Sequence, residues 1–240
     1  MVRDRPRPQS RLFARLPHGA PLIAPALALA LAASLVGAAS PAGAQGRSGG
    51  TPGEFDFYVL ALSWSPGFCE TTGDRRGSRQ CEAGRRLGFV VHGLWPQYER
   101  GFPSRCGPER ALPRPALDEA GDVFPEESLA RYEWRQHGTC SGLGPSEYMR
   151  AVRETRAKIR VPEALADLGE DGRTSPQAIE RAFSEANPGL RSDMMSVQCG
   201  RGALQEVRIC FTRDLRSFRP CPEVDRRSCR FGPIRVGAPR

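Results

Sequence analysis

The chain has 240 residues, 39% of them hydrophobic and 26% charged, with a formal net charge of +8. That length suits one domain with a substantial core, and no internal repeat or mid-chain linker calls for a second. The charge is weak evidence for a polyanionic partner, because five arginines against one aspartate fall in the first 44 residues and leave only +4 beyond them.

The N-terminus carries Arg3, Arg5, Arg7, Arg11 and Arg15, then an Ala/Leu-rich run over 22–39, then Ala42-Gly43-Ala44. This layout predicts a secretory signal peptide over residues 1–44, cleaved after Ala44. Its strongest apolar stretch, 24–36, is interrupted by Pro25 and is short of the about 20 residues that a membrane span needs. A soluble periplasmic or secreted monomer, with no membrane attachment after cleavage, is therefore expected. All eight cysteines lie beyond residue 44, which in an exported protein favours four disulfides. None forms a C-x-x-C pair, so zinc binding by cysteine is disfavoured. Eight cysteines allow about 105 connectivities, and composition leaves the pairing open.

Residues 45–53 are Gly/Ser-rich and read as a flexible leader to a domain over 54–240. The run FDFYVLALSW predicts a mostly buried strand over 54–64, ended by Pro66-Gly67. A second strand is predicted over 87–92, broken by Gly93, which puts His92 at a strand end. Residues 125–137, acidic at the start and followed by Gly138, predict a helix closed by a C-terminal glycine. On that helix Glu133 and His137 are four apart and project from one face. Further helices are predicted over 146–158 and over 176–186, the latter capped by Ser175 with Pro176 at its first position. Strands over 194–199 and 204–211 follow, joined by the turn Gly200-Arg201-Gly202, and disulfides are expected to hold the tail. The elements do not alternate as βαβ units. The expected class is α+β, a central antiparallel β-sheet flanked by helices in a disulfide-stapled single domain.

Of the three histidines, His18 lies in the predicted signal segment, so His92 and His137 are the side chains that titrate near neutrality in the rest. Each sits in a dense motif, His92-Gly93-Leu94-Trp95-Pro96 and Glu133-Trp134-Arg135-Gln136-His137-Gly138-Thr139-Cys140. The two motifs, in this order, resemble the active-site segments of the T2-type ribonuclease family. LALSWSPGFC at 60–69 and EVRIC at 206–210 agree, and the resemblance spans about 55–211.

Cleaving RNA through its own 2′-hydroxyl requires a base to take that proton and an acid to protonate the departing 5′-oxygen. Imidazoles do both near neutral pH without a metal or other cofactor. The resemblance implies that His137 is the base, His92 the acid and Glu133 their assistant at the crowded phosphorane. It implies a 2′,3′-cyclic phosphate product that is hydrolysed more slowly, with RNA as substrate and DNA, which lacks the nucleophile, left uncut. It also implies that Trp95 stacks on a base, with Gln136 and Tyr132 as substrate contacts. The disulfides it implies are Cys69–Cys81, Cys106–Cys140, Cys199–Cys229 and Cys210–Cys221.

The chain departs from that pattern at two positions. Most members carry Lys where Gln136 stands, and many carry His where Tyr132 stands. The lone lysine is Lys158, so lower activity or compensation by an arginine is expected. Arg135 projects from roughly the opposite helix face, so that arginine is expected from another segment. Trp64 and Trp134 read as core, and Phe102 as a candidate for completing a base slot. Two rival functions remain open on the sequence, a zinc-dependent hydrolase using His92, Glu133 and His137, and a non-catalytic, disulfide-rich RNA-binding protein on the same scaffold.

Overall fold

In the computed structural model the described residues are 47–108, 111–165, 169 and 172–239. The expected signal segment, residues 1–44, lies outside them. The apolar run at Phe57–Trp64 forms β1, a strand buried on both faces. Along β1, Tyr58, Leu60, Leu62 and Trp64 enter a large core with the helices, while Phe57, Val59 and Ala61 enter a smaller cluster on the other side. This division follows from the two-residue side-chain period of a strand. Each fully buried large side chain contributes about 1.5–3 kcal/mol by leaving water.

β1 pairs antiparallel with Phe89–Gln97 (β2) on one edge and with Ala203–Thr212 (β4) on the other. Met195–Gly200 (β3) pairs antiparallel with β4 through the two-residue turn Arg201-Gly202, where both φ values are positive. The order is therefore β2-β1-β4-β3, and Ile234–Arg235 adds one parallel bridge beside Ala203. The fold is α+β, a mainly antiparallel sheet with helices packed on it.

Contrary to the sequence reading, β2 does not stop at Gly93 but runs on to Gln97. Ala61 opposes Gly93 and Leu62 opposes Val91, which leaves His92 as the unpaired residue of a β-bulge. The bulge shifts side-chain parity by one. Val91 and Leu94 both enter the helix-side core, while Trp95 belongs to the opposite cluster. Pro96 is accommodated because β2 is an edge strand, where one row of N–H groups needs no ladder partner.

Four longer helices follow the predicted pattern with one addition. Arg114–Ala120 (α1), which the sequence did not reveal, buries Ala116, Leu117 and Ala120. Glu127–Gln136 (α2) buries Ala130, Glu133 and Trp134. Pro145–Ala157 (α3) begins one residue earlier than expected, where the Gly144 N–H donates to Glu147 Oε2 at 3.0 Å. Pro176–Ala186 (α4) has the predicted bounds, and Ser175 Oγ accepts from the Ala178 N–H at 3.1 Å. Trp64 and Trp134 both lie in the core.

The glycine after α2 is required for its size. Gly138 is buried in a 3₁₀ turn, and a Cβ there would come within 2.4 Å of Trp134 Cε3 and 2.9 Å of the Tyr148 ring. Close packing, not positive φ, requires glycine at this position. The described part of the leader is also anchored. Arg47–Ser48 pairs with Pro103–Ser104, and the Gly53 N–H donates to the Cys140 carbonyl at 2.9 Å.

The eight cysteines form Cys69–Cys81, Cys106–Cys140, Cys199–Cys229 and Cys210–Cys221. No helix among the described residues is long and apolar enough to cross a membrane.

Candidate active site

The cleft face of the sheet is assembled from three neighbouring strands. Arg208 of β4 opposes Ala61 of β1, which opposes Gly93 of β2, and Glu206 opposes Ser63. Residues directly opposite on an antiparallel pair share a face. β1 thus presents only short side chains, Ala61 and Ser63, between the charged pair of β4 and the bulged histidine of β2. Glu206 reaches across them, and its Oε2 lies 2.5 Å from His92 Nδ1. Its other oxygen accepts from Arg208 Nε at 2.6 Å.

The fourth wall is α2. The helical spacing puts Glu133 and His137 on one face, and the His137 N–H closes the helix on the Glu133 carbonyl at 2.9 Å. Glu133, 1% exposed, accepts from Trp95 Nε1–H at 2.7 Å, and its Oε1 lies 3.6 Å from His92 Nε2. Gly93 makes this approach possible, since a Cβ there would sit 2.1 Å from Glu133 Oε2 and 2.3 Å from Trp95 Nε1. The end of α2 is clamped by the Cys106–Cys140 disulfide and by the Arg105 N–H, which donates to the Gln136 carbonyl at 2.9 Å.

Trp95 stands between the two imidazoles, its ring 5.1 Å from that of His92 and 5.2 Å from that of His137. It is 9% exposed, and the Arg208 guanidinium lies over its ring at 5.0 Å. Contacts with His92, His137, Glu133 and Arg208 therefore occupy much of the indole that the sequence reading assigned to stacking on a base.

Two adjoining depressions open on this site. One, of about 500 Å³, is lined by Trp95, Phe102, Gln136, His137 and Arg208 among others. The second, of about 530 Å³, is lined by Ser63, Phe68, Arg76 and His92. Tyr132, 47% exposed, borders both. Phe102 lies 6.1 Å from the His137 ring. Lys158 is in a different depression, where its ammonium donates to the Leu215 carbonyl.

The two histidines are driven in opposite directions. Desolvation pulls the pKa of His92 down, but its hydrogen bond to Glu206 and the charges of Glu206 and Glu133 outweigh that, and the net shift is upward. Burial, then the positive charges of His92 and Arg208, push His137 down to about 3. Its Nδ1 is buried without a hydrogen-bond partner among the described residues, so an imidazolium there would leave an N–H unsatisfied. Burial also raises Glu133 to about 7, against the lowering effects of His92 and Trp95. Glu206 is buried too, yet its bonds to His92 and Arg208 hold it below the ordinary carboxylate range.

One imidazole is thus favoured as a cation and the other as a neutral base, on either side of one indole. Among the described residues His92, Glu133 and His137 do not bring three ligand atoms within 4.8 Å of one another, so the geometry does not fit the zinc reading. The one group that does, Cys69, Asp74 and Cys81, contains two cysteines already joined as a disulfide.

Glu206 and Arg208 lie within the EVRIC segment but are not among the site residues expected from the sequence. The available signal was two charges at i and i+2 in a strand with no other charged residue, which puts both on one face.

Comparison with known proteins bears on the family and the fold. Residues 55–221 match the model of the ribonuclease T2 family. A ribonuclease of Aeromonas hydrophila is 46% identical over 117 residues, 49% of this chain and 52% of that protein. A probable ribonuclease of Haemophilus influenzae is 30% identical over 171 residues, 66% of this chain and 58% of that protein. The chain therefore spans little more than half the length of these two relatives. The crystal structure of RNase NT in complex with 5′-AMP superposes with a TM-score of 0.61 at 22% identity, covering 78% of this chain and all of that one. At that identity the likeness concerns the fold, and the family match over most of the chain carries the assignment: this chain belongs to the ribonuclease T2 family.

Proposed function

We propose that this chain is an endoribonuclease that cleaves single-stranded RNA by transphosphorylation to a 2′,3′-cyclic phosphate, followed by slower hydrolysis to a 3′-phosphate. The observation that carries the reading is the opposed bias of the two imidazoles across Trp95. His137, neutral above about pH 3, takes the proton of the 2′-hydroxyl as the 2′-oxygen bonds to phosphorus. The phosphate's negative charge, arriving beside this imidazole, favours its protonated form and strengthens it as a base in the complex. His92, held as a cation, gives its Nε2 proton to the 5′-oxygen as the P–O5′ bond breaks.

Glu133 in its protonated form donates to a phosphate oxygen, and Trp95 holds it there. Gln136 and Tyr132 are neutral contacts at the rim of the cleft, and Arg208 is the cation that offsets the missing lysine. A hydrogen bond to a charged partner contributes about 1.5–3 kcal/mol, against about 1 for a neutral pair. Four disulfides suit an exported protein, periplasmic or secreted, and the reading is of a monomer that leaves DNA intact and works without a metal or other cofactor.

Incubation with RNA and with DNA of the same sequence, with chelator present, tests the reading. Cyclic-phosphate ends from RNA and intact DNA are expected. Loss of activity on chelation would instead mean a metal-dependent hydrolase, and an inert protein that still binds RNA would mean a non-catalytic scaffold.

The pH dependence has a defined sign. The base works when unprotonated, so kcat/KM rises as pH increases through the lowered pKa of His137, about 3 in the free protein. The acid works when protonated, so the rate falls as pH passes the raised pKa of His92, above its ordinary value of about 6.5. Loss of the Glu133 proton near pH 7 adds to that alkaline fall. A rate that keeps rising into alkaline solution would contradict the assignment of His92 as acid.

Gly93→Ala is expected to lower kcat about 100-fold, since its Cβ displaces the Glu133–Trp95 pair and misplacement by an ångström carries a cost of that order. Steady-state kinetics on RNA check this, and a rate within threefold of the wild type would mean the pair tolerates the shift.

A further inference from the structure

Glu206 is an expensive residue at its position unless it has work to do. It is 6% exposed, on a central strand, close enough to Glu133 for the two carboxylates to repel. An isolated carboxylate in such a place would be neutralised or lost. Here both oxygens are occupied, one by His92 Nδ1 at 2.5 Å and the other by Arg208 Nε at 2.6 Å. A structural ion pair between neighbours on one strand would need only the arginine. The bulge at His92 and the short Ala61 and Ser63 side chains between the strands instead open a path from β4 to the imidazole.

We propose that Glu206 is a positioning residue of the reaction. It accepts the Nδ1–H of His92 and thereby points Nε2–H toward the departing 5′-oxygen, while Arg208 locks the carboxylate in place. This rests on the ribonuclease reading above, in which His92 is the acid. A carboxylate accepts only, so Nδ1 must carry a proton, and Nε2 is left on the side of Glu133 Oε1, 3.6 Å away. When Nε2 surrenders its proton to the leaving oxygen, the Nδ1–H to Glu206 contact is retained. The imidazole therefore finishes the step in the orientation in which it started. Groups facing this imidazole are Glu206 and Arg208 from β4, Glu133 from α2, and His137 beyond Trp95.

The test is a comparison of leaving groups. RNA expels an alkoxide that needs a proton, whereas a nucleoside 3′-(4-nitrophenyl phosphate) expels a stable phenolate that does not. Glu206→Gln should lower kcat on RNA about 10- to 100-fold, the range typical of losing a group that orients a functional histidine, with little change in KM. On the nitrophenyl substrate it should lose less than about threefold, and the alkaline limb of the RNA pH profile should move to lower pH. Glu206→Asp keeps the charge with a shorter reach and should give an intermediate loss with the same asymmetry. Should Glu206→Gln not fold, Glu206→Asp supplies the comparison.

Equal losses on both substrates would make Glu206 merely structural and overturn the proposal, as would a Glu206→Gln rate on RNA within threefold of the wild type. NMR titration of His92, assigned by single substitution among the three histidines, gives a readout that does not depend on turnover. Its pKa should fall in Glu206→Gln, and an unchanged titration would also sink the idea. If the wild type leaves RNA uncut, the functional reading fails first. If the wild type cleaves and His92→Ala shows the leaving-group asymmetry while Glu206→Gln does not, only the Glu206 assignment fails.

Discussion

Replacing His137 with alanine is expected to lower kcat/KM on RNA by about 10²–10⁴, the usual contribution of a positioned proton-transfer group. His92→Ala should cost a similar factor. The double variant should cost much less than the product of the two, because groups that act in one concerted displacement are strongly non-additive. The two single variants can be told apart. With a leaving group that needs no proton, His92→Ala should recover most of the lost rate, while His137→Ala should not, since the 2′-hydroxyl still has to be deprotonated. The two substitutions differ in the charge they leave buried. His137 is favoured as neutral, so its loss should hardly alter stability, whereas removing His92 strips Glu206 of one of its two partners. A His137→Ala protein that cleaves RNA within a few-fold of the wild-type rate would remove the base assignment altogether.

Removing Cys106–Cys140 by serine substitution of both residues is expected to affect both stability and rate. The bond closes a span of 34 residues, and loop-closure entropy puts the loss at about 3–4 kcal/mol. For a domain of this size that corresponds to a fall in Tm of about 6–16 °C. The bond also joins the stretch after β2 to the end of α2, one turn beyond His137, so kcat should fall even in the fraction that remains folded.

Cys199–Cys229 is the control, with a comparable span of 30 residues and neither cysteine beside the helix that carries Glu133 and His137. Its removal should lower Tm by a similar amount and leave kcat per folded molecule unchanged. Melting by circular dichroism beside active-site-normalised kinetics separates the two effects. Equal kcat losses from both would mean that the disulfides act on the site only through global stability.

Much of the fold was legible because its signals are local. Ser175 and Pro176 mark the start of α4, the apolar run at 57–64 marks a strand buried on both faces, and the spacing of Glu133 and His137 puts them on one helix face. α1 was not legible. Pro113 and Pro115 bracket its first residue and read as loop, and the helix is stable because Ala116, Leu117 and Ala120 meet the core. Gly93 misled for a related reason. Alone it reads as a strand breaker, but its bare backbone is what lets Glu133 and Trp95 meet above it.

For the site, the chemical inventory is legible in the chain before folding: two histidines in two dense motifs, a carboxylate one helical turn from one of them, and an uncharged glutamine where a lysine was expected. Local spacing carries that much because it fixes which side chains share a helix or strand face. The remainder depends on contacts between distant segments. The bulge that frees His92 exists only in the register between β1 and β2. Contact between Glu206 and His92 spans 114 residues of chain, and the burial that drives His137 down and Glu133 up is a property of the packed cleft. Proton affinity depends on what surrounds a group in space, so the opposite pKa shifts of the two histidines arise only when three strands and a helix come together.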